Sequence, residues 1–506
     1  MGIHTGPSGP RIVLLLPRVV GVTTRSTSVA VVGAGVAGLA AARHLAHAES
    51  DVTVLEADGR IGGQVHTVEP VPGVHLELGA EALHLGAPGV PDLLATLGLD
   101  ATRVGSVPLD GQLATARGLR PLPEGVGPAG PSRLGPVLRS RTLSGTAIVR
   151  AGMEPLVARA AAPLEGDKDV SVGHFVTRRF GHAVTATFVD PLLGGLHAGD
   201  VHRLSLRACA PMLVPAARER RSLVLRRRRR APAMGFASWP GGLATLVAAL
   251  AEGLDVRTDA PVTELHHRHD GRVELTTPQG QVVADMVVLA VPAARAARLL
   301  ADTAHRASTI LEATETADVA TVLVAVDPAA AGRHLQGTGL LVPSAQGRLL
   351  KAATHLSHKW PHLADDEHFW IRLSAGRAGE HRVAALGDDA LVAHLLRDLR
   401  DLTGLDAEPA AVVVRRWPAA LPQQTVGHLD RVAAARADLP AGVLLAGAAY
   451  DGVGLAAALR SGTAAATSVL GTTHHADPHA PRPQEVPLRA STPSCASCTT
   501  TPATGR

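Results

Sequence analysis

Ser28-Val29-Ala30-Val31-Val32-Gly33-Ala34-Gly35-Val36-Ala37-Gly38 decides the fold of this chain. A β-branched run gives way to a glycine turn, an apolar stretch from Leu39 to Ala48 reads as a helix, and Val52 to Glu56 returns to a strand pattern. Alone, GxGxxG is a weak sign, because glycines punctuate many turns. Here it follows a strand, opens a helix and is answered by an acid at the end of the next strand. Gly33 allows the tight turn, Gly35 lets a diphosphate reach backbone N–H groups, and Gly38 lets the helix pack closely on the sheet. The helix N-terminus faces the phosphate charge. Glu56 can accept from adenosine ribose hydroxyls, and its charge repels a 2′-phosphate. The bland alternative is a strand–turn–helix without ligand, and Glu56 weighs against it.

The rest of the composition narrows the field. At 506 residues the chain has room for roughly three domains of ~150 residues each. Hydrophobic residues make up 46% and charged residues 19%, which excludes a wholly disordered or collagen-like chain. The basic excess, 49 − 45 = +4, is too small for a charge-dominated nucleic-acid binder, and no nucleic-acid partner is expected. Five Phe, four Trp and one Tyr leave the core to Ala, Leu, Val and Gly and argue against aromatic cages. Cys209 stands alone, and Cys495 with Cys498 forms a CxxC in a Ser/Thr/Pro-rich stretch, too little for a disulfide framework and in keeping with a reducing cytoplasm. The apolar stretch from Ile12 to Leu16 is shorter than a signal h-region. No run of ~20 apolar residues appears. His266, His267 and His269 read as a solvated hairpin, and no metal is expected.

Along the chain, Ser171 caps a helix through Phe180, a further helix begins near Met153, and Leu243 to Glu252 and Leu455 to Leu470 are helical. Pro261 to His266, Arg272 to Thr276, Met286 to Ala290 and Val443 to Ala446 read as strands. A nucleotide-binding start and a strand–Gly–helix finish imply one domain assembled from separated pieces, with substrate-handling structure inserted between them. The basic run Arg226 to Arg230 is either a solvated face or a guide for a polycarboxylate substrate or a membrane surface.

The segment Glu56-Ala57-Asp58-Gly59-Arg60-Ile61-Gly62-Gly63-Gln64 resembles the second glycine doublet of the flavin-containing amine-oxidase superfamily, with Gln64 where a basic residue usually stands. Longer stretches resemble one branch of it, the oxygen-dependent coproporphyrinogen III and protoporphyrinogen oxidases. They are Leu76-Glu77-Leu78-Gly79-Ala80-Glu81, Asp169 to Phe175, Asp190 to Arg207, Gly347 to His362, Arg416-Trp417-Pro418, Thr425 to His428 and Gly447 to Leu455. The likeness covers residues 28 to 471, in the family's order. It implies an α/β fold: a Rossmann-like FAD-binding domain (28–86, 240–300, 410–471), a mixed-sheet, p-hydroxybenzoate-hydroxylase-like substrate domain (205–239, 301–409) and an inserted helical domain (87–204). Residues 1–27 read as an extension and 472–506 as a disordered tail.

The resemblance further implies FAD held by Gly33, Ala34, Gly35, Val36, Ala37, Gly38, Glu56, Ala57, Gly62, Gly63, Gln64, Gly79, Ala80, Val262, Trp417, Gly447, Gly452, Val453, Gly454 and Leu455. The glycines at 447, 452 and 454 allow backbone to approach a flat ring, and the helix start at Leu455 suits negative charge on it. The expected activity is oxidation of coproporphyrinogen III by dioxygen, with protoporphyrinogen as the runner-up substrate. Expected surroundings are the cytoplasm, peripheral contact with the inner membrane face, and a chelatase that receives the product. Arg203, Arg207, Arg348 and Lys351 are candidates for substrate carboxylates, each equally able to be a structural ion-pair partner; no catalytic base is named. Two rivals are a flavin amine oxidase, against which Asp318 to Val326 carries no lysine, and an inactive flavin-fold adaptor, against which Gly33, Gly35, Gly38 and Glu56 stand intact.

Overall fold

The computed structural model describes residues 26–108, 111–225 and 235–475. The expectations placed on residues 1–25, Arg226 to Arg230, and Cys495 with Cys498 lie outside the described residues.

Ser28–Val32 is the middle of a five-stranded parallel sheet. Its neighbours are Asp51–Leu55 and Met286–Leu289, with Asp255–Arg257 and Val443–Leu445 outside them. The alternation of Val29 and Val31 with Ala30 and Val32 has a physical use, because both faces are covered. Val29 and Val31 pack toward the helices Val36–His47, Ala244–Ala251 and Leu455–His475. Ala30 and Val32 pack toward Ala293–Leu300 and the three-stranded meander Glu264–His267, Val273–Thr277 and Gly280–Ala284. Burying one Val or Leu side chain contributes about 1.5–3 kcal/mol, so this strand anchors both layers. Strands from near residues 30, 50, 255, 290 and 445 in one sheet support the reading of a domain assembled from separated pieces.

A second, seven-stranded sheet runs in the order Ala411–Pro422, Thr316–Val326, Phe369–Ala375, Leu350–His355, Gly339–Leu341, Gln112–Thr115 and Gly118–Pro121. It is mixed: Gly339–Leu341 and Gln112–Thr115 pair in parallel and the remaining pairs are antiparallel. Three pieces fall outside the divisions read from sequence. The helices within 206–218, assigned there to the substrate domain, pack into the helical insert through Leu206, Leu213 and Ala216. The hairpin 112–121 pairs into this sheet instead of belonging to the helical insert: Ala114 joins the sheet's core, while Leu113 on the other face packs against the insert. Residues 411–422 form an edge strand of it before the chain returns to the parallel sheet.

The helical insert packs helices between residues 134 and 218 around Phe175, Phe180 and Phe188. Ser171 caps Val172–Phe180, its hydroxyl accepting from His174 N at 3.1 Å. Thr185–Gly194 is a π-helix containing Pro191, whose missing N–H suits the wider winding. Asp190, inside it, accepts from Ser344 N at 2.7 Å and thereby ties the insert to the large sheet.

The helices Val36–His47 and Leu455–His475 lie against each other through Gly462, whose Cβ, if present, would land on the Ala37 carbonyl oxygen. Gly462→Ala must therefore push two backbones apart. We expect a loss of about 1–3 kcal/mol, read as a lowered melting temperature. An unchanged melting curve would show that the two helices can separate freely.

Candidate active site

The first glycine loop is shaped by what its glycines touch. Gly33 has φ +102°, and a Cβ there would sit 2.6 Å from the Ala290 carbonyl oxygen. A Cβ on Gly38 would land on Gly33 O, so helix and turn are in backbone contact. Gly35 differs: its Cβ direction meets only Gly63 Cα, at 3.9 Å. It is the position at which a side chain fits the protein but fills the cradle. Helix Val36–His47 starts at Gly35 with no side-chain cap and no acid in its first turn, which leaves its N-terminal N–H groups for an anion.

The second doublet lies directly against the first. Gly62 N donates to Ala34 O at 2.8 Å, and Gly35 and Gly62 form an isolated parallel bridge. Gly62 and Gly63 have φ +103° and +57°. Arg60 locks the doublet from behind, donating to Gly63 O at 2.6 Å and Val65 O at 3.0 Å. Glu56 Oε2 accepts from Ala34 N at 2.7 Å and Oε1 from Asp58 N at 3.0 Å, so the carboxylate also braces the loop that it was expected to serve only as a ribose acceptor. Ala57, beside it, is exposed. Val262 is half-buried in an extended segment just before its strand; the same segment reaches Glu56 O through Ala260 N at 2.8 Å.

Other candidates gather around these loops. Ala80 N donates to Gln64 O at 2.9 Å, and a Cβ on Gly79 would land on that same oxygen. The Gln64 side chain turns away to donate to Ala420 O. Trp417 is fixed by its Nε1 donating to Leu78 O at 3.0 Å. Gly447, with φ +121°, approaches Ala37 and donates to Ser461 Oγ at 2.7 Å. Gly452 and Gly454 have φ +123° and +103°, and Val453 lies between them. Nothing would meet a Cβ on Gly454 within 4 Å, so the approach to the helix at Leu455 is open. The two glycine loops and the Gly447 to Leu455 turn thus converge on the start of one helix. A dinucleotide with a flat ring fits this cradle.

Two acids, Glu77 and Glu81, flank Gly79 and had no assigned role. Glu81 accepts from Lys359 Nζ at 2.6 Å and from Arg372 at 3.0 Å, and Arg372 also donates to Gly79 O. Burial pushes the Glu81 carboxyl up, but Lys359 and Arg372 overcome this and hold it down to about 2. Glu77 Oε1 accepts from Leu243 N at 2.6 Å and from Thr67 Oγ1 at 2.8 Å, while its buried Oε2 has no partner among the described residues. Burial raises Glu77 to about 7 against those hydrogen bonds. Their only sequence signal was their place in Leu76 to Glu81, one residue either side of Leu78-Gly79-Ala80.

The candidates for substrate carboxylates separate clearly. Arg203 pairs with Glu315 at 2.6 Å on the surface, and Arg207 with Asp430 at 3.0 Å. Arg348 holds Asp398 at 2.9 Å and Asp401 at 3.2 Å. It lines a cleft of about 650 Å³ with Arg382 and His394 that shares no residue with the glycine cradle. Lys351 alone of the four has no carboxylate within ion-pair distance among the described residues. It is buried at a bulge in Leu350–His355. Burial first, then Arg377 and Arg372, pushes it down to about 7.

Gly35→Val is expected to abolish FAD retention while the circular-dichroism spectrum and melting stay near wild type, since only the cradle is filled. Stoichiometric flavin in the purified variant would place the diphosphate elsewhere. Glu77 gives a pH test. Its folded value lies above the unfolded one, so its contribution is intact below about 4.5 and is lost as pH rises toward 7. In Glu77→Gln that loss is removed, so its stability relative to wild type should climb between pH 5 and 7. Parallel stability–pH curves for the two proteins would contradict the raised value.

Comparison with known proteins agrees with this geometry. The sequence pattern of the family described as flavin containing amine oxidoreductase matches residues 36–470. The coproporphyrinogen III oxidase of Mycobacterium tuberculosis is 35% identical over 454 residues, covering 88% of this chain and 97% of that protein. The protoporphyrinogen oxidase of Bos taurus is 29% identical, covering 88% and 98%. A structure from Exiguobacterium sp. 255-15, assigned as a protoporphyrinogen oxidase, superposes with TM-score 0.79 at 30% identity, covering 88% and 98%. A cyclohexylamine oxidase from Brevibacterium oxydans, 18% identical with TM-score 0.64 over 88% and 99%, shares the fold. The chain belongs to the flavin-containing amine oxidoreductase family, in the branch of the coproporphyrinogen III and protoporphyrinogen oxidases, and is an FAD-dependent oxidoreductase.

Proposed function

We propose that this flavoprotein oxidises coproporphyrinogen III to coproporphyrin III with dioxygen as acceptor. The observation that carries the reading is 35% identity across 97% of a coproporphyrinogen III oxidase. FAD, held by the two glycine loops, would supply the hydride acceptor for a bridging carbon of the macrocycle and the route to dioxygen, each round taking one hydride and one proton and giving one hydrogen peroxide. Repeated rounds aromatise the ring, one proton being released with each hydride, and the product keeps two of its four pyrrole N–H groups. The protein's own share is position and field. Lys351, buried without a carboxylate partner among the described residues, suits a propionate of the substrate. Arg203, Arg207 and Arg348 already hold Glu315, Asp430 and Asp398, and serve better as struts than as substrate ligands.

Protoporphyrinogen is the second reading, favoured by the bovine and Exiguobacterium relatives. Coproporphyrinogen carries four propionates where protoporphyrinogen has two and two vinyl groups, and an arginine-rich, aromatic-poor chain suits carboxylates better than added apolar edges. Among the described residues no helix is long and apolar enough to cross a membrane. A cytoplasmic site of action, with the product passed to a chelatase, accompanies the proposal.

Aerobic turnover of coproporphyrinogen, protoporphyrinogen and amines side by side tests it. A higher kcat/KM for coproporphyrinogen is expected, and a preference for protoporphyrinogen or an amine would overturn it. If Lys351 grips a carboxylate, kcat/KM for coproporphyrinogen should fall as pH rises through about 7, where the ammonium is lost. Lys351→Met should abolish that limb and raise KM about tenfold. A variant with native KM and native pH profile would remove Lys351 from the substrate site.

A further inference from the structure

The FAD diphosphate brings negative charge to a cradle that offers little positive charge of its own. The loop Gly33 to Gly38 contains no ionisable side chain, and the first turn of its helix contains no basic residue. Gln64, next to the doublet, is neutral and spends its amide on Ala420 O. Helix N–H groups help, but their field falls off within a turn. The compensating cation must come from elsewhere in the fold.

One arginine is placed for it and is otherwise unexplained. Arg415 lies two residues before Trp417 on the edge strand Ala411–Pro422, so the two side chains share one face. Its guanidinium stands over the Trp417 ring, 4.8 Å from the centroid. Trp417 is itself pinned to Leu78 O, and a Cβ on Gly79 would lie 3.2 Å from its Cζ2, so the stack is held against the backbone that packs on Gln64. Arg415 Nε is buried without a hydrogen-bond partner, and no carboxylate lies within ion-pair distance of the side chain among the described residues. Its neighbour in sequence, Arg416, is by contrast fully engaged with Asp388, Val383 O and Leu386 O. A half-buried guanidinium with an unmet donor is costly unless an anion arrives. The nearby cation, Arg60, spends its donors on the carbonyls of Ile61, Gly63 and Val65 in and around the doublet.

We propose that Arg415, stacked on Trp417 beside the second glycine doublet, supplies the positive charge that the FAD diphosphate lacks from the side chains of the two glycine loops. The surrounding field fits. Burial, then Arg60, then Arg415 hold His66 below its ordinary value, and His66 packs edge-on to Trp417 at 6.2 Å. Arg60, whose charge Asp58 and Glu56 offset in part, and Arg415, which has no carboxylate within ion-pair distance among the described residues, form a positive region that an arriving dianion would relieve. The proposal rests on FAD being the cofactor, and its test separates the two claims.

Apoprotein is titrated with FAD and with riboflavin, which lacks the diphosphate, for the native chain, Arg415→Gln, Arg415→Lys, and Arg415→Gln combined with Gln64→Arg. Arg415→Gln should weaken FAD about tenfold or more and leave riboflavin affinity unchanged. Arg415→Lys should bind FAD more weakly than native but more tightly than Arg415→Gln, because it keeps the charge and loses the planar stack on Trp417. Adding Gln64→Arg should recover most of the loss. FAD binding to the native chain should also raise the His66 pKa, followed by NMR, since a new anion favours the charged imidazole. That readout survives even if a variant fails to fold. FAD affinity unchanged in Arg415→Gln, or equal losses for FAD and riboflavin, or a His66 pKa that does not rise, would overturn the role of Arg415. A native chain that fails to bind FAD would overturn the cofactor itself.

Discussion

Everything in this protein is arranged around one backbone-to-backbone contact, that of Gly35 with Gly62 and Gly63. A Cβ on Gly63 would lie 3.1 Å from Gly35 Cα and strain the contact, whereas one on Gly35 fits the protein and fills only the cradle. Both loops are braced from behind, the first by Glu56 on Ala34 N, the second by Arg60 on Gly63 O. Because the two loops hold each other, the start of helix Val36–His47 is left facing open space with uncapped N–H groups. The parallel sheet fixes where that helix begins, and Gly38 and Gly462 fix how closely it lies on the strand turn and on the C-terminal helix. Packing in this domain therefore serves to present a short piece of bare backbone.

The second sheet reaches the cradle through charge. Arg372, on Phe369–Ala375, and Lys359 meet Glu81, and Arg372 also grasps Gly79 O, so a strand of the large sheet is bound to the segment that supports the doublet. Both Glu81 oxygens are paired in this triad, although the buried Arg372 Nε has no partner among the described residues; a buried pair of this kind costs most when one member is removed. Lys351 and Arg415 break that pattern. They are basic, at least half-buried and without carboxylate partners among the described residues, and such groups suit ligand charge.

The sequence showed the parallel sheet and its glycine loops because their signals are local: a β-branched run, a turn that only glycine can make, and an acid at a fixed distance. The helix capped at Ser171 was legible for the same reason, since a cap is a contact between near neighbours. What escaped depended on distant partners. Gln112–Thr115 is too short and too closely set among Gly and Pro to read as a strand, and only pairing with Gly339–Leu341 makes it one. Ala411–Pro422 reads as part of the nucleotide domain because Trp417 ends there, yet most of its length pairs with Thr316–Val326. Glu77 and Glu81 have opposite titration behaviour although they stand four residues apart. One meets two cations and the other meets a backbone N–H and a hydroxyl, contacts that no spacing reveals. The ion pairs of Arg203, Arg207 and Arg348 were equally hidden, since each partner lies at least 40 positions away.

The central claim is that this glycine cradle holds FAD as its resident dinucleotide. Calorimetric titration of the apoprotein with FAD and, separately, with NAD tests it most directly. The account predicts a single saturable site with one FAD per chain and no saturable heat with NAD; tight NAD binding, or FAD binding without saturation, would contradict it.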